Sequence, residues 1–131
     1  MTTSRLDATI VTVNRFDELD ARIVGFFRPI DCDVLQLQLQ RALRTSDQDR
    51  KLGWDAHCLV IGSGRTQYGC VLECRLTPGV LHLRISRKNA AYLHIGEKMI
   101  VNFDPKKTNA VRRGLTQIFK PPKQPKILDL G

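Results

Sequence analysis

Long apolar runs are missing from this 131-residue chain. None approaches the ~18 residues that a membrane-spanning helix requires. The opening segment MTTSRLDATI has no hydrophobic signal region, so a cytoplasmic setting is expected. Paired cysteines are missing too: Cys32, Cys58, Cys70 and Cys74 form no CxxC. Cys70 and Cys74, read as part of one strand, would share a face about 13 Å apart at ~3.3 Å per residue. That is too far for a disulfide or a shared tetrahedral zinc. All four are expected to act as small buried hydrophobes in a reducing compartment.

Catalytic signatures are equally scarce. The chain contains no HExxH, GxSxG or Walker loop. Gly62 and Gly64 sit in GSGR, which is too short for a dinucleotide loop and precedes no helix. His57 adjoins Cys58, but neighbours along a strand point to opposite faces, so they cannot form a dyad. His82 and His94 are isolated, and all three histidines read as structural or surface residues. Asp47, Asp49 and Asp55 echo the odd spacing of a calcium loop without its glycine or distal glutamate. Arg44, Arg50 and Lys51 interleave with them, which points to charge compensation in a solvated loop. No enzyme activity, cofactor or metal is expected.

What the chain does have is enough apolar content, 42%, with 26% charged residues, for one soluble globular domain. Its size allows a core that needs no disulfide. The net charge of +8 is uneven. Residues 1–65 carry nine basic and nine acidic side chains, and residues 66–131 carry twelve and four. Such a basic half suits an anionic partner, or is simply a solvated face with a basic tail. Lys106, Lys107, Arg112, Arg113, Lys120, Lys123 and Lys126 could contact a nucleic-acid backbone in a salt-sensitive way. With five Phe, two Tyr and one Trp, mostly in apolar runs, stacking platforms for bases are poorly supported.

Strands are expected at Thr9–Val13, Ala21–Phe27 (stopped by Pro29), Val34–Gln40, Ala56–Ile61, Gln67–Leu76, Val80–Ile85 and Lys98–Phe103. VLQLQLQ puts Leu35, Leu37 and Leu39 on one face and three glutamines on the other. Thr77-Pro78-Gly79 marks a hairpin turn. Thr45–Gly53 reads as a charged loop or helical turn, with Ser46 as its cap and Asp49 as the partner in a capping box. Ser86 caps a short helix, Arg87–Leu93. Lys106–Phe119 is a helix whose stripe is Val111, Leu115, Ile118 and Phe119. The expected architecture is α+β: a single domain over residues 1–120, with a mostly antiparallel sheet, a short helix and a C-terminal helix packed on the sheet. Residues 121–131 form a Pro/Lys-rich tail, extended and poorly packed unless something holds it.

Trp54 follows the charged segment and a glycine. Such a tryptophan either seals a core edge or, ringed by Arg and Asp, anchors a protein partner. With Arg44, Asp47, Asp49 and Arg50 it forms the candidate contact surface.

The pieces LQRALRTSDQDRKLGWDAHCLVI, QYGCVLECRLTPGVLHLRI, NAAYLHIGEKMIVNF and VRRGLTQIF, in that order from Leu35 to Phe119, resemble the immunity protein 10 family of bacterial polymorphic toxin systems. Cys70 departs from the family pattern, which expects a second glycine after Tyr68-Gly69, and the chain is more basic than the family suggests. The resemblance implies a non-catalytic cytoplasmic antidote that binds a cognate toxin domain stoichiometrically. The alternative is a basic nucleic-acid-associated or regulatory module; a homodimer is open to either.

Overall fold

The computed structural model describes residues 2–18, 20–30, 33–62, 64–121 and 123–131, with backbone only at 33 and 34. Ten strands fall into two five-stranded sheets. The elements in chain order are β1 (Thr3–Asp7), β2 (Ile10–Phe16), β3 (Ala21–Ile30), β4 (Asp33–Ala42), α1 (Asp47–Lys51), β5 (Cys58–Ile61), β6 (Arg65–Tyr68), β7 (Val71–Thr77), β8 (Val80–Ile85), α2 (Arg87–Leu93), β9 (Lys98–Asn102), α3 (Thr108–Ile118, entered through a 3₁₀ turn at Pro105–Lys107) and β10 (Ile127–Asp129). One sheet runs β1-β9-β8-β7-β10 and the other β2-β3-β4-β5-β6. All pairings are antiparallel except the two at the edges of the first sheet, β1 on β9 and β10 on β7. The α+β class and the C-terminal helix are as expected.

The alternation in β4 sorts as the sequence requires. Leu37 and Leu39 are buried, whereas Leu35, at the strand's outer end, is exposed. On the opposite face the glutamines form a ladder. Gln38 donates to Gln36 at 2.8 Å and Gln40 donates to Gln38 at 2.8 Å. Amide side chains two apart on a strand share a face and so satisfy one another without leaving it. In β8, Leu81, Leu83 and Ile85 are buried while His82 and Arg84 are exposed.

Both sheets and α3 feed one core. Val111, Leu115, Ile118 and Phe119 are fully buried, as the stripe predicts. The helix lies close on β2 and β3 because Gly114 has no side chain. A Cβ there would stand 2.6 Å from Val24 Cγ2 and 2.8 Å from Val13 Cγ1.

Several expectations need correcting. Pro29 does not stop β3, which continues to Ile30 opposite Asp33. The single strand expected over Gln67–Leu76 is two. β6 ends at Tyr68 in one sheet and β7 begins at Val71 in the other, so Gly69-Cys70 is the crossing point. Cys70 and Cys74 therefore do not share a strand. β1 and β10 were not foreseen; each is short and gains its order by pairing in parallel along a sheet edge. The tail is held by the domain itself: Lys126 N donates to Leu72 O at 2.9 Å, and Arg112 Nε donates to Leu130 O at 2.6 Å. Ser63, between Gly62 and Gly64, lies outside the described residues, as does Cys32.

Candidate functional site

The segment joining β4 to β5 forms its own cap. Ser46 Oγ accepts from Asp49 N at 3.0 Å, and Asp49 Oδ2 accepts from Ser46 N at 2.9 Å. This is the reciprocal capping box that the spacing predicted, and it fixes α1. Asp47 pairs with Arg50 one turn along. Gly53, at φ +76°, takes the left-handed turn that ends the helical segment, and Trp54 N then donates to Asp49 O at 2.8 Å. The capping carboxylate and the indole are thus locked to the same few residues.

Trp54 does not seal the core. It is 46% exposed and stacks on Tyr68, which is 43% exposed, with ring centroids 6.1 Å apart. Leu52, 50% exposed, lies two residues before it. Burial, the neighbouring Cys58 and then the Asp49 charge raise the Tyr68 pKa, so Asp49, Trp54 and Tyr68 form one cluster. Sequence reasoning missed Tyr68 and Leu52. Tyr68 is brought beside Trp54 by the β5–β6 register, Cys58↔Tyr68, which the local pattern does not show; Leu52, a leucine at the end of a charged turn just before glycine, was the available signal. Arg44 lies apart from α1 and bonds Asp20 through Nε at 3.2 Å. Asp55 belongs elsewhere: Lys123 Nζ reaches its Oδ1 at 2.6 Å, and that bond holds the carboxyl below the usual carboxylate range.

Beneath this surface sit two buried polar residues. Arg41, only 6% exposed, donates to four carbonyls: Ile118 at 3.1 Å, Lys120 at 2.7 Å, Asp55 at 3.0 Å and Pro121 at 3.2 Å. It ties the end of α3 and the start of the tail to β4, and burial lowers its pKa. His57, 1% exposed, accepts from Val71 N at Nε2 (3.1 Å) and packs edge-on against Phe119. The neutral ring therefore carries its proton on Nδ1, which meets no hydrogen-bond partner within bonding distance among the described residues. Burial, followed by the Arg41 charge, lowers its pKa to about 4, with the Lys123 backbone pulling the other way.

The thiols are inert for the same reason. Burial pushes Cys58 up to about 11 and Cys70 and Cys74 up to about 12, so all three stay protonated and un-nucleophilic. No group of three His, Cys, Asp or Glu side chains among the described residues is arranged to hold a metal ion. No helix among them is long and apolar enough to cross a membrane.

A model of the family described as immunity protein 10 matches residues 7–111. The match begins well before Leu35 and ends at the first stripe residue of α3, so it takes in β2 and β3 but not the VRRGLTQIF piece. Neither the curated proteins nor the solved structures give a match.

Proposed function

The chain belongs to the immunity protein 10 family, and from that premise we propose that it neutralises a cognate toxin domain by stoichiometric binding, without chemistry of its own. The observation that carries the geometric side is the exposed Trp54–Tyr68 stack with Leu52 beside it. Large rigid aromatics with charged neighbours have the make-up of an interface anchor. Asp47, Asp49 and Arg50 form the polar rim, and Arg44 extends it toward Asp20. A protein antidote of this kind needs about 1,600 Å² of total interface, most of it complementary surface around a few desolvated anchors. The buried, protonated thiols and the buried neutral histidine support a non-catalytic role.

Co-expression with the C-terminal toxin domain of the gene immediately upstream tests this. Protection of the host, with a one-to-one complex on purification, is the expected outcome. Trp54→Ala should weaken the complex by ~2 kcal/mol or more, the scale of an anchor residue. Half-exposed as it is, its loss should change the stability of the free chain far less. A variant that unfolds readily but binds undiminished would make Trp54 a structural residue.

A further inference from the structure

Rows of cross-strand partners place three arginines side by side. Val13, Val24 and Leu39 form one row across β2, β3 and β4; two residues on, Arg15, Arg22 and Arg41 form the next. Steps of two keep side chains on one face, so the arginines stand on the face that carries α3. Like charges directly opposite one another in a sheet cost stability. Arg41 is accounted for by its four carbonyls, and Arg15 pairs with Asp17 at 2.9 Å. Arg22 has no hydrogen bond or ion pair among the described residues, and neither does Arg113 on α3.

Arg15, Arg22 and Arg113 line a groove of about 490 Å³ between α3 and the β2–β3 edge. The apolar part of its lining on that face is Val13, Val24, Ala110 and Ile118, and the lining carries no carboxylate. A second hollow of about 400 Å³ shares Arg15 and Arg22 with it and adds Arg44 and Lys120. A third shares Asp20 with the second and reaches Tyr68.

We propose that the groove lined by Arg15, Arg22 and Arg113 seats an acidic, extended segment of the partner protein. This rests on the antidote reading and adds to it a second contact surface with its own chemistry. Carboxylates would relieve the Arg15–Arg22 repulsion through charge-assisted forked bonds, and alternate apolar side chains would pack on the apolar lining. Three observations favour a polypeptide over a nucleic acid. Asp17 and Asp20 line the second hollow and would repel a phosphate backbone running on into it, whereas a short peptide can keep its carboxylates within the first groove, whose lining has none. The groove has no aromatic side chain on which a base could stack. β2 is an edge strand, so its outer backbone groups are open to a strand added by another polypeptide, which a nucleic acid cannot supply.

The test uses the full chain and three fluorescent probes: a short peptide alternating Glu with Leu, its Gln–Leu counterpart, and a single-stranded DNA oligonucleotide. The acidic peptide should bind, weaken with salt, and shift the amide resonances of Asn14, Ala110 and Gly114. Arg22→Gln and Arg113→Gln should each weaken it about tenfold. Arg113 is exposed, so its variant keeps the fold if Arg22→Gln does not. Equal binding of both peptides, undiminished binding by the Arg113 variant, or binding of DNA alone would overturn the proposal. Co-expression with the upstream toxin domain separates the two readings. Protection that the double variant retains in full overturns the groove and leaves the antidote. A native chain that neither protects nor binds the toxin overturns the antidote, while the peptide result still judges the groove.

Discussion

At position 41 an arginine occupies an inward-facing place in β4, two residues past Leu39, and it is stable there because four carbonyls meet it. One of these, from Ile118, closes α3, and another, from Lys120, follows just beyond its cap, where helix carbonyls lack partners within the helix and cations are favoured. Its charge in turn bears on His57. A histidine whose folded pKa lies near 4 against 6.5 unfolded stays neutral in the native state while the unfolded chain takes up a proton. Above pH 6.5 this costs nothing; stability falls as pH drops from about 6.5 to about 4, then levels off. The total is ~3 kcal/mol. His57→Gln keeps an acceptor for Val71 N but cannot titrate in that range. Urea unfolding at a series of pH values should show a shallower acid limb in the variant; identical slopes would mean that His57 does not titrate on unfolding.

Among the elements, α3 shows how a single position sets a helix's distance from a sheet. Alanine is normally better than glycine inside a helix by about 1 kcal/mol. At Gly114 the order should reverse. The new methyl would meet two valines at distances no real contact tolerates, and stiff β-branched side chains have little room to turn away. Overpacking of this kind costs ~1–3 kcal/mol. Gly114→Ala should therefore lower the unfolding free energy, and it should also disturb the groove beside it; a melting temperature raised by the substitution would refute the close-packing argument. α1 was legible in the sequence because its cap is local, with both bonds spanning three residues. The break between β6 and β7 was not, because QYGCVLECRL reads locally as one strand, and only the burial demands of two separate sheets divide it.

Over the whole molecule, the tail closes the first sheet. β10 lies on β7 in parallel register from Ile127↔Glu73 to Asp129↔Arg75. Arg41, Arg112 and Asp55 hold the approach through Pro121, Leu130 and Lys123. Removing residues 121–131 would bare the edge of a core strand and orphan two arginine bonds, worth ~2 kcal/mol or more together. The truncated chain should melt at lower temperature and associate more readily, as scanning calorimetry and light scattering would read. A truncation that left both unchanged would make the tail a passive appendage.

Composition and local pattern alone determined the α+β class, the apolar stripe of α3, both N-caps and the likeness to an immunity family. Each depends on periodicity or on bonds between residues a few positions apart. They also brought Trp54 and its charged neighbours forward as a surface. Tertiary structure decided the rest. It parted ten strands into two sheets, recruited both termini as parallel edge strands, stood Trp54 on Tyr68, and aligned Arg15 with Arg22 and Arg41. Those arrangements depend on strand register and on which edges remain unpaired, and residues far apart in sequence set both only when the sheets close on a common core.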